Sequence, residues 1–332
     1  MKIYFISPNH IWGGAATANM AIARMLSTDH IVLYNDEYNN ISIENVTYDS
    51  FPAHKLKDSD TLYNRLVEEK VDWVIWGVAM ILPYYKSLIS KLKDSNIKQC
   101  VLFHSLSISR SFKGRLMEWL ISRSLNNIDH LVFVSNYTDI SWSKYKTVRK
   151  HPNHHVIYNP IRIEQTCVNS DKDRIGFVGR LSDEKQPEVF AKISEIDNRN
   201  KYIAWGGGDL LDELRNKYTR VEFKGQSLNQ EEIYSSFDIL VMTSVFENCP
   251  MVILEAWAHG IPCVVPNVGG IPEIVENNFS GILYDGYDVK DILSGIENIK
   301  QNYAFYSKNC SETVKNFSFE NIKSKWNNII DH

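Results

Sequence analysis

A succession of short, uninterrupted apolar runs, each followed by a polar or amphipathic stretch of helical length, constrains this chain more than any other feature. Lys2–Ser7, His30–Tyr34, Val71–Trp76, Gln99–His104 and His130–Ser135 are rich in β-branched and aromatic residues and read as strands. Their apolar residues are continuous instead of alternating, which predicts strands covered on both faces, hence a parallel sheet between helices. Asn159-Pro160 breaks the chain after a further run from His155, and a second series follows. Its strands are Arg174–Gly179, Lys201–Trp205, Val221–Lys224, Asp238–Thr243, Pro262–Val265 and Gly281–Leu283. Helical patterns lie between them at Gln186–Ile196, Leu210–Tyr218, Glu231–Phe237 and Pro250–Gly260. At 332 residues the chain exceeds what one core usually accommodates. The expected fold class is α/β, with two doubly wound, Rossmann-like domains facing each other across a cleft at the carboxyl ends of the strands. Residues 1–160 form the first domain and 161–317 the second. The terminal helix within 318–332 is a candidate to complete the first.

Composition narrows the function classes. With 44% hydrophobic and 23% charged residues, the chain has the make-up of a globular protein. A net charge of -4 argues against a nucleic-acid partner. The longest uncharged apolar stretch, Trp73–Tyr85, falls short of the ~20 residues a bilayer span needs. The short apolar run before Ser7-Pro8 predicts no secretory signal. Cys100, Cys167, Cys249, Cys263 and Cys310 are scattered and form no CxxC pair, so neither disulfides nor a zinc site is expected and a cytoplasmic setting fits. The net charge conceals a division. Residues 1–160 hold 18 basic and 14 acidic side chains, and the remainder 18 and 26. Residues 86–150 alone carry 12 basic against 4 acidic, which suits either solvated helix faces or an anionic surface.

Three motifs carry chemistry. Gly13-Gly14 opens a helix soon after the first strand, where bare backbone amides and the helix dipole favour an anion. Gly179-Arg180 ends a strand of the second series, with Lys185 five residues beyond Arg180, and cations at such an edge suit a phosphate. The third signal runs from Ser244 to Val275. Pro250 fits the first turn of a helix, so Glu247 lies on the loop before it and Glu255 within it. At ~1.5 Å per residue the second carboxylate sits roughly 7 Å further along the axis. Both could touch different parts of one long ligand, with the amides around Asn248, Cys249, Pro250 and Met251 pointing at an anion between them.

Glu247 and Glu255 resemble the E-x7-E pair of glycosyltransferase family 4, a GT-B fold family. The likeness extends along the chain through the Gly13-Gly14 loop, His104, Val134-Ser135, Asn159-Pro160, Val178–Leu181 with Lys185, Gly206–Asp209 and Gly269–Glu273, in the family's order. It implies a retaining, metal-independent glycosyltransferase whose second domain binds a nucleotide-sugar and whose first binds the acceptor. Arg180 and Lys185 would neutralise the leaving diphosphate, with Gly14, Gly179 and Gly207 close to the donor. Glu255 would hold the ribose and Glu247 the sugar hydroxyls, with His104 near the reacting carbon and Asn19 and Ser135 as neighbours. Asn248-Cys249 departs from the family's Gly or Ser followed by Phe. No cofactor or metal is expected. Family frequency favours a UDP-hexose, with GDP-mannose second. The acceptor would be a glycan or a lipid-linked saccharide in cell-surface polysaccharide or lipopolysaccharide synthesis, and weak association with an anionic inner membrane is expected.

Two other readings stay open: a nucleotide-sugar epimerase on the same fold, and a non-catalytic subunit that only binds the sugar nucleotide. Three lesser features read as structural. Asp58-Ser59-Asp60 and Asp171-Lys172-Asp173 fall away from a strand's carboxyl end. His151, His154 and His155 lack carboxylate or Cys ligands at suitable spacing. In Phe112–Leu125, Leu116, Trp119 and Leu120 flanked by Lys113, Arg115 and Arg123 suit either docking on an anionic membrane or, as expected here, an apolar face turned to the core.

Overall fold

The computed structural model describes residues 1–7, 13–27, 30–33, 47–50, 59–109, 111–163 and 172–331, with backbone alone for 30–33 and 47–50. Contacts group the chain into two units, Met1–Pro160 with Ile322–His332, and Ile161–Asn321.

The first unit is a parallel sheet of β1 (Ile3–Ser7), β2 (His30–Leu33), β3 (Thr47–Ser50), β4 (Trp73–Trp76), β5 (Lys98–Phe103), β6 (His130–Phe133) and β7 (His154–Val156), in the order β3-β2-β1-β4-β5-β6-β7. β3 has no counterpart in the apolar pattern. Its Thr-Tyr-Asp-Ser sequence is polar, and it joins through its parallel backbone ladder to β2. Central strands are buried on both faces, with Trp76, Phe103 and Phe133 among the packed residues. The helix Phe319–Ile330 contributes its residues 322–330 to this unit, burying Ile322, Trp326 and Ile329 at helical spacing.

The second unit repeats the plan with β8 (Arg174–Val178), β9 (Lys201–Trp205), β10 (Val221–Gly225), β11 (Ile239–Val241), β12 (Cys263–Pro266) and β13 (Ile282–Tyr284), ordered β10-β9-β8-β11-β12-β13 and parallel throughout. In both sheets the order reverses after the first strand, between β1 and β4 and between β8 and β11. Helices on either side of that point diverge and open a crevice at the strands' carboxyl ends. At the opposite edge of the second sheet, Arg174 Nη2 meets Asp238 Oδ1 at 2.6 Å and Arg174 Nε meets Oδ2 at 3.1 Å. This buried pair is structural.

The helix Phe112–Ser124 corrects an expectation. Leu116, Trp119 and Leu120 are exposed, Phe112 is 78% exposed, and the inward positions are Glu118, Ile121, Ser122 and Ser124. The reason is polar anchoring. Glu118 accepts from Ser109 N–H at 2.9 Å, Lys144 Nζ at 3.0 Å and Tyr145 OH at 3.1 Å. Burial pushes its carboxyl pKa up, but these bonds outweigh burial and hold it below the usual range. Ser122 and Ser124 donate to the carbonyls of Trp119 and Leu120, so they enter the interior with their hydroxyls satisfied.

A Cβ on Gly176, inside β8, would come within 2.2 Å of the Phe237 ring. Gly176→Ala is therefore expected to destabilise the second unit by about 1–3 kcal/mol through overpacking. Urea unfolding followed by fluorescence checks it; an unchanged midpoint contradicts the packing described.

Candidate active site

In the second unit the loops leaving β8 and β11 flank the point where strand order reverses. Two devices hold the β8 loop. Leu181 N–H donates to Gly207 O at 2.9 Å and Gly179 N–H to Trp205 O at 3.0 Å, extending the β8–β9 pairing beyond the strands. Gly206 makes this approach feasible: at φ +133 a Cβ there would lie 1.9 Å from Gly179 O. Arg180 projects from this loop and is exposed.

The β11 loop is tied to the same region. Thr243 Oγ1 lies 2.9 Å from the carbonyls of both Lys185 and Gln186, and Val245 N–H donates to Glu184 O at 2.9 Å. These ties bring Lys185 Nζ to 2.6 Å from Glu247 Oε1, and Ser244 Oγ donates to the same oxygen at 2.7 Å. The backbone of Glu247 is braced from behind, where its carbonyl accepts from Gly270 N–H at 2.9 Å. Gly269 has φ +60, and a Cβ there would sit 1.9 Å from Glu247 O, so the Gly-Gly turn lets this approach occur. Asn248 is half-buried, Cys249 and Met251 are buried, and Pro250 caps the helix Met251–Ala258 without a side-chain acceptor for its first amides.

Glu255 lies in a separate network. Its oxygens accept from Tyr234 OH and from Gln230 Nε2, the latter at 3.1 Å, and the Tyr234 ring stacks on His259 at 4.9 Å. Burial pushes the Glu255 pKa up, and the two hydrogen bonds oppose that rise. The structure thus joins Lys185, Ser244 and Glu247 directly and gives Glu255 partners of its own. Ser244, Gln230 and Tyr234 were not singled out in the sequence. Each acts on a motif carboxylate from a different position, and no local pattern marks it.

In the first unit, Gly14 begins the helix Gly14–Leu26, is exposed, and would leave an added Cβ with nothing within 4 Å. His104 follows β5 directly, and its Nε2 lies 2.8 Å from Asn19 Oδ1. Burial pushes the His104 pKa down to about 4, so the ring is neutral at physiological pH. Ser135 caps the helix Asn136–Trp142 through Thr138 N–H.

The DxD tripeptides are only half described, since Asp58 and Asp171 lie outside the described residues. Asp60 pairs with Lys91 and Asp173 with Lys300, each at 2.6 Å. His154 pairs with Asp139 at 2.8 Å. Among the described residues there is no group of three or more His, Cys, Asp or Glu arranged to hold a metal, and no helix long and apolar enough to cross a membrane.

Residues 172–302 match the family model for glycosyl transferases group 1. The match falls within the second unit. This match agrees with the resemblance to glycosyltransferase family 4 read from the motifs. An Escherichia coli UDP-Gal:alpha-D-GlcNAc-diphosphoundecaprenol alpha-1,3-galactosyltransferase is 29% identical over 42% of this chain, and the match spans only 40% of that relative. A Campylobacter jejuni GalNAc-alpha-(1->4)-GalNAc-alpha-(1->3)-diNAcBac-PP-undecaprenol alpha-1,4-N-acetyl-D-galactosaminyltransferase is 23% identical over 99% of the chain and 98% of its own length. Among solved structures, Anabaena HepE in complex with UDP and glucose superimposes with a TM-score of 0.84, covering 100% of this chain and 99% of that one at 18% identity. The fold of the chain is GT-B.

Tyr234→Phe removes a donor from a buried carboxylate, at an expected cost of about 1–3 kcal/mol. The sign of its pH dependence follows from the raised Glu255 pKa. Ionised Glu255 is the form that loses support, so the cost grows as pH rises above the carboxyl's folded pKa and shrinks toward its ordinary value of 4.5. Urea midpoints of both proteins at acid and neutral pH measure this; equal losses at the two pH values contradict it.

Proposed function

We propose that the protein is a retaining, metal-independent hexosyltransferase that takes its sugar from a UDP-sugar. The observation that carries this reading is the braced Lys185–Ser244–Glu247 cluster at the second sheet's reversal point. One Glu247 oxygen is held by a cation and a hydroxyl, which leaves the carboxylate's other oxygen suited to a sugar hydroxyl. The printed names of the relatives support the choice of donor base, since one uses UDP-Gal and HepE was solved with UDP and glucose. GDP-mannose is the second choice.

In this mechanism departure of the nucleoside diphosphate builds negative charge on its β-phosphate and positive charge on the sugar ring. Arg180 and Lys185 stabilise the first, aided by the amides after Glu247. Lys185 is paired with Glu247 beforehand, so it is already oriented when the diphosphate arrives. Glu247 then positions the sugar, and Glu255 takes the ribose hydroxyls in exchange for Gln230. Retention is explained by same-face attack, in which a phosphate oxygen accepts the proton of the incoming hydroxyl.

The acceptor in this reading is a glycan or a lipid-linked saccharide of cell-surface polysaccharide synthesis, handled at the cytoplasmic face of the membrane. Two relatives named for diphosphoundecaprenol substrates support it. So does the outward face of the helix Phe112–Ser124, where exposed Phe112, Leu116, Trp119 and Leu120 lie among Lys113, Arg115 and Arg123, with Arg123 5.0 Å above the Trp119 ring. Apolar and aromatic side chains flanked by cations suit the boundary of an anionic bilayer.

Two expected outcomes test the proposal. Glu247→Ala and Lys185→Ala each lower transfer from a UDP-sugar at least about a hundredfold, because one lost transition-state contact costs ~3 kcal/mol. Labelled-sugar transfer reads this, and near-unaltered rates in either variant remove the site assignment, whereas complete loss of activity with EDTA would remove its metal independence. Trp119→Ser with Leu116→Ser abolishes co-sedimentation with phosphatidylglycerol vesicles while leaving UDP binding intact; retained sedimentation removes the membrane assignment.

A further inference from the structure

We propose that Ser244 is a positioning residue for Glu247, keeping that carboxylate in place while a donor's diphosphate competes for Lys185. The inference rests on the reading that Lys185 serves the diphosphate and Glu247 the sugar, and all three residues belong to the second unit.

Two groups hold the same oxygen, Glu247 Oε1, and they differ in kind. Lys185 Nζ, at 2.6 Å, ends a flexible four-carbon stem whose side chain is 24% exposed, and a second carboxylate oxygen, Glu184 Oε1, lies 3.6 Å from it. Its charge makes it responsive to any anion that enters nearby. Ser244 Oγ, at 2.7 Å, is uncharged, buried and carried on a single carbon. A carboxylate oxygen only accepts, so the one hydroxyl proton of Ser244 is committed to Glu247.

The backbone beneath the serine is fixed without help from the lysine's ammonium. Thr243 is fully buried, and its hydroxyl meets the carbonyls of Lys185 and Gln186, each at 2.9 Å. Val245 N–H donates to Glu184 O at 2.9 Å, and Tyr287 OH donates to Ser244 O at 3.2 Å. Gln186 has φ +49, a left-handed conformation that costs a non-glycine residue energy, so these bonds hold the turn carrying Lys185 in one shape. Adjustment of Lys185 is thereby confined to its side chain, and Ser244 stays where it is when the ammonium is shared with a phosphate.

Electrostatics then gives the serine its task. A diphosphate attracts the ammonium and repels the carboxylate, so the donor weakens one hold on Glu247 and pushes against it at once. A hydroxyl has no net charge and is spared that competition. With Ser244 present, Oε1 stays anchored and the carboxylate's other oxygen keeps its aim at a sugar hydroxyl. Without it, the Glu247 side chain swings toward water and away from the phosphate.

Ser244→Ala, which removes one oxygen and adds nothing, is assayed for labelled-sugar transfer and, by calorimetry, for UDP binding. Loss of a hydrogen bond to a charged group lowers kcat roughly tenfold to a hundredfold, while UDP affinity changes by less than about threefold, since UDP carries the diphosphate but no sugar. Full-rate transfer, or equal losses in kcat and UDP affinity, overturns the proposal. A second comparison separates positioning from folding. In protein already carrying Glu247→Ala, Ser244→Ala costs no further rate; a loss as large as in the unaltered protein means that the serine acts through the fold, and overturns the proposal too. Glu247→Ala at full rate removes the underlying reading of the site, whereas an impaired Glu247→Ala beside a full-rate Ser244→Ala removes the role of Ser244 alone.

Discussion

The contact on which the second unit's loop arrangement depends is the short bond between Lys185 and Glu247. Neither side chain is well solvated, and an ion pair withdrawn from water gains little unless other bonds support it. Ser244 supplies one such bond on the same oxygen, Thr243 fixes the backbone that carries the lysine, and Gly270 fixes the backbone that carries the glutamate. The pair is therefore rigid because its two loops are sewn together, and they can be sewn together because β8 and β11 are neighbours across the reversal of strand order. The glycines follow from the same requirement. Gly206 and Gly269 occur where a Cβ would strike a carbonyl of the neighbouring loop, so backbone packing and not flexibility explains them.

Most of the framework was legible because doubly covered parallel strands must be continuously apolar, and such runs stand out from amphipathic helices. β3 was not, since an edge strand such as Thr47–Ser50 joins by backbone bonds and needs no apolar signature. The orientation of the helix Phe112–Ser124 was illegible for a different reason. Its pattern permits either face to be inward, and the choice is made by Lys144 and Tyr145, distant in sequence, which give Glu118 a buried bonding site. The candidate site divides the same way. The motif residues Lys185, Glu247 and Glu255 announce themselves by type and spacing. Their partners Ser244, Gln230 and Tyr234 do not, because each is an ordinary polar residue whose meaning comes from the carboxylate it meets in space.

The two units use one topology with opposite electrostatics. At the second sheet's reversal point the interacting groups are ions, an ammonium and a carboxylate, with the exposed guanidinium of Arg180 on the adjoining loop. At the first sheet's, they are neutral: a carboxamide, a hydroxyl, a backbone carbonyl and an uncharged imidazole. Burial enforces this difference in the first unit, since withdrawing the His104 ring from water makes its protonation costly. The proposed glycosyl transfer calls for groups of both kinds. The leaving diphosphate needs fixed positive charge, whereas the sugar carbon it leaves behind becomes positive and is best met by lone pairs without a nearby cation. Each sheet leaves its carboxyl edge free for side chains of its own kind, so one topology carries an ionic set in the second unit and a neutral set in the first.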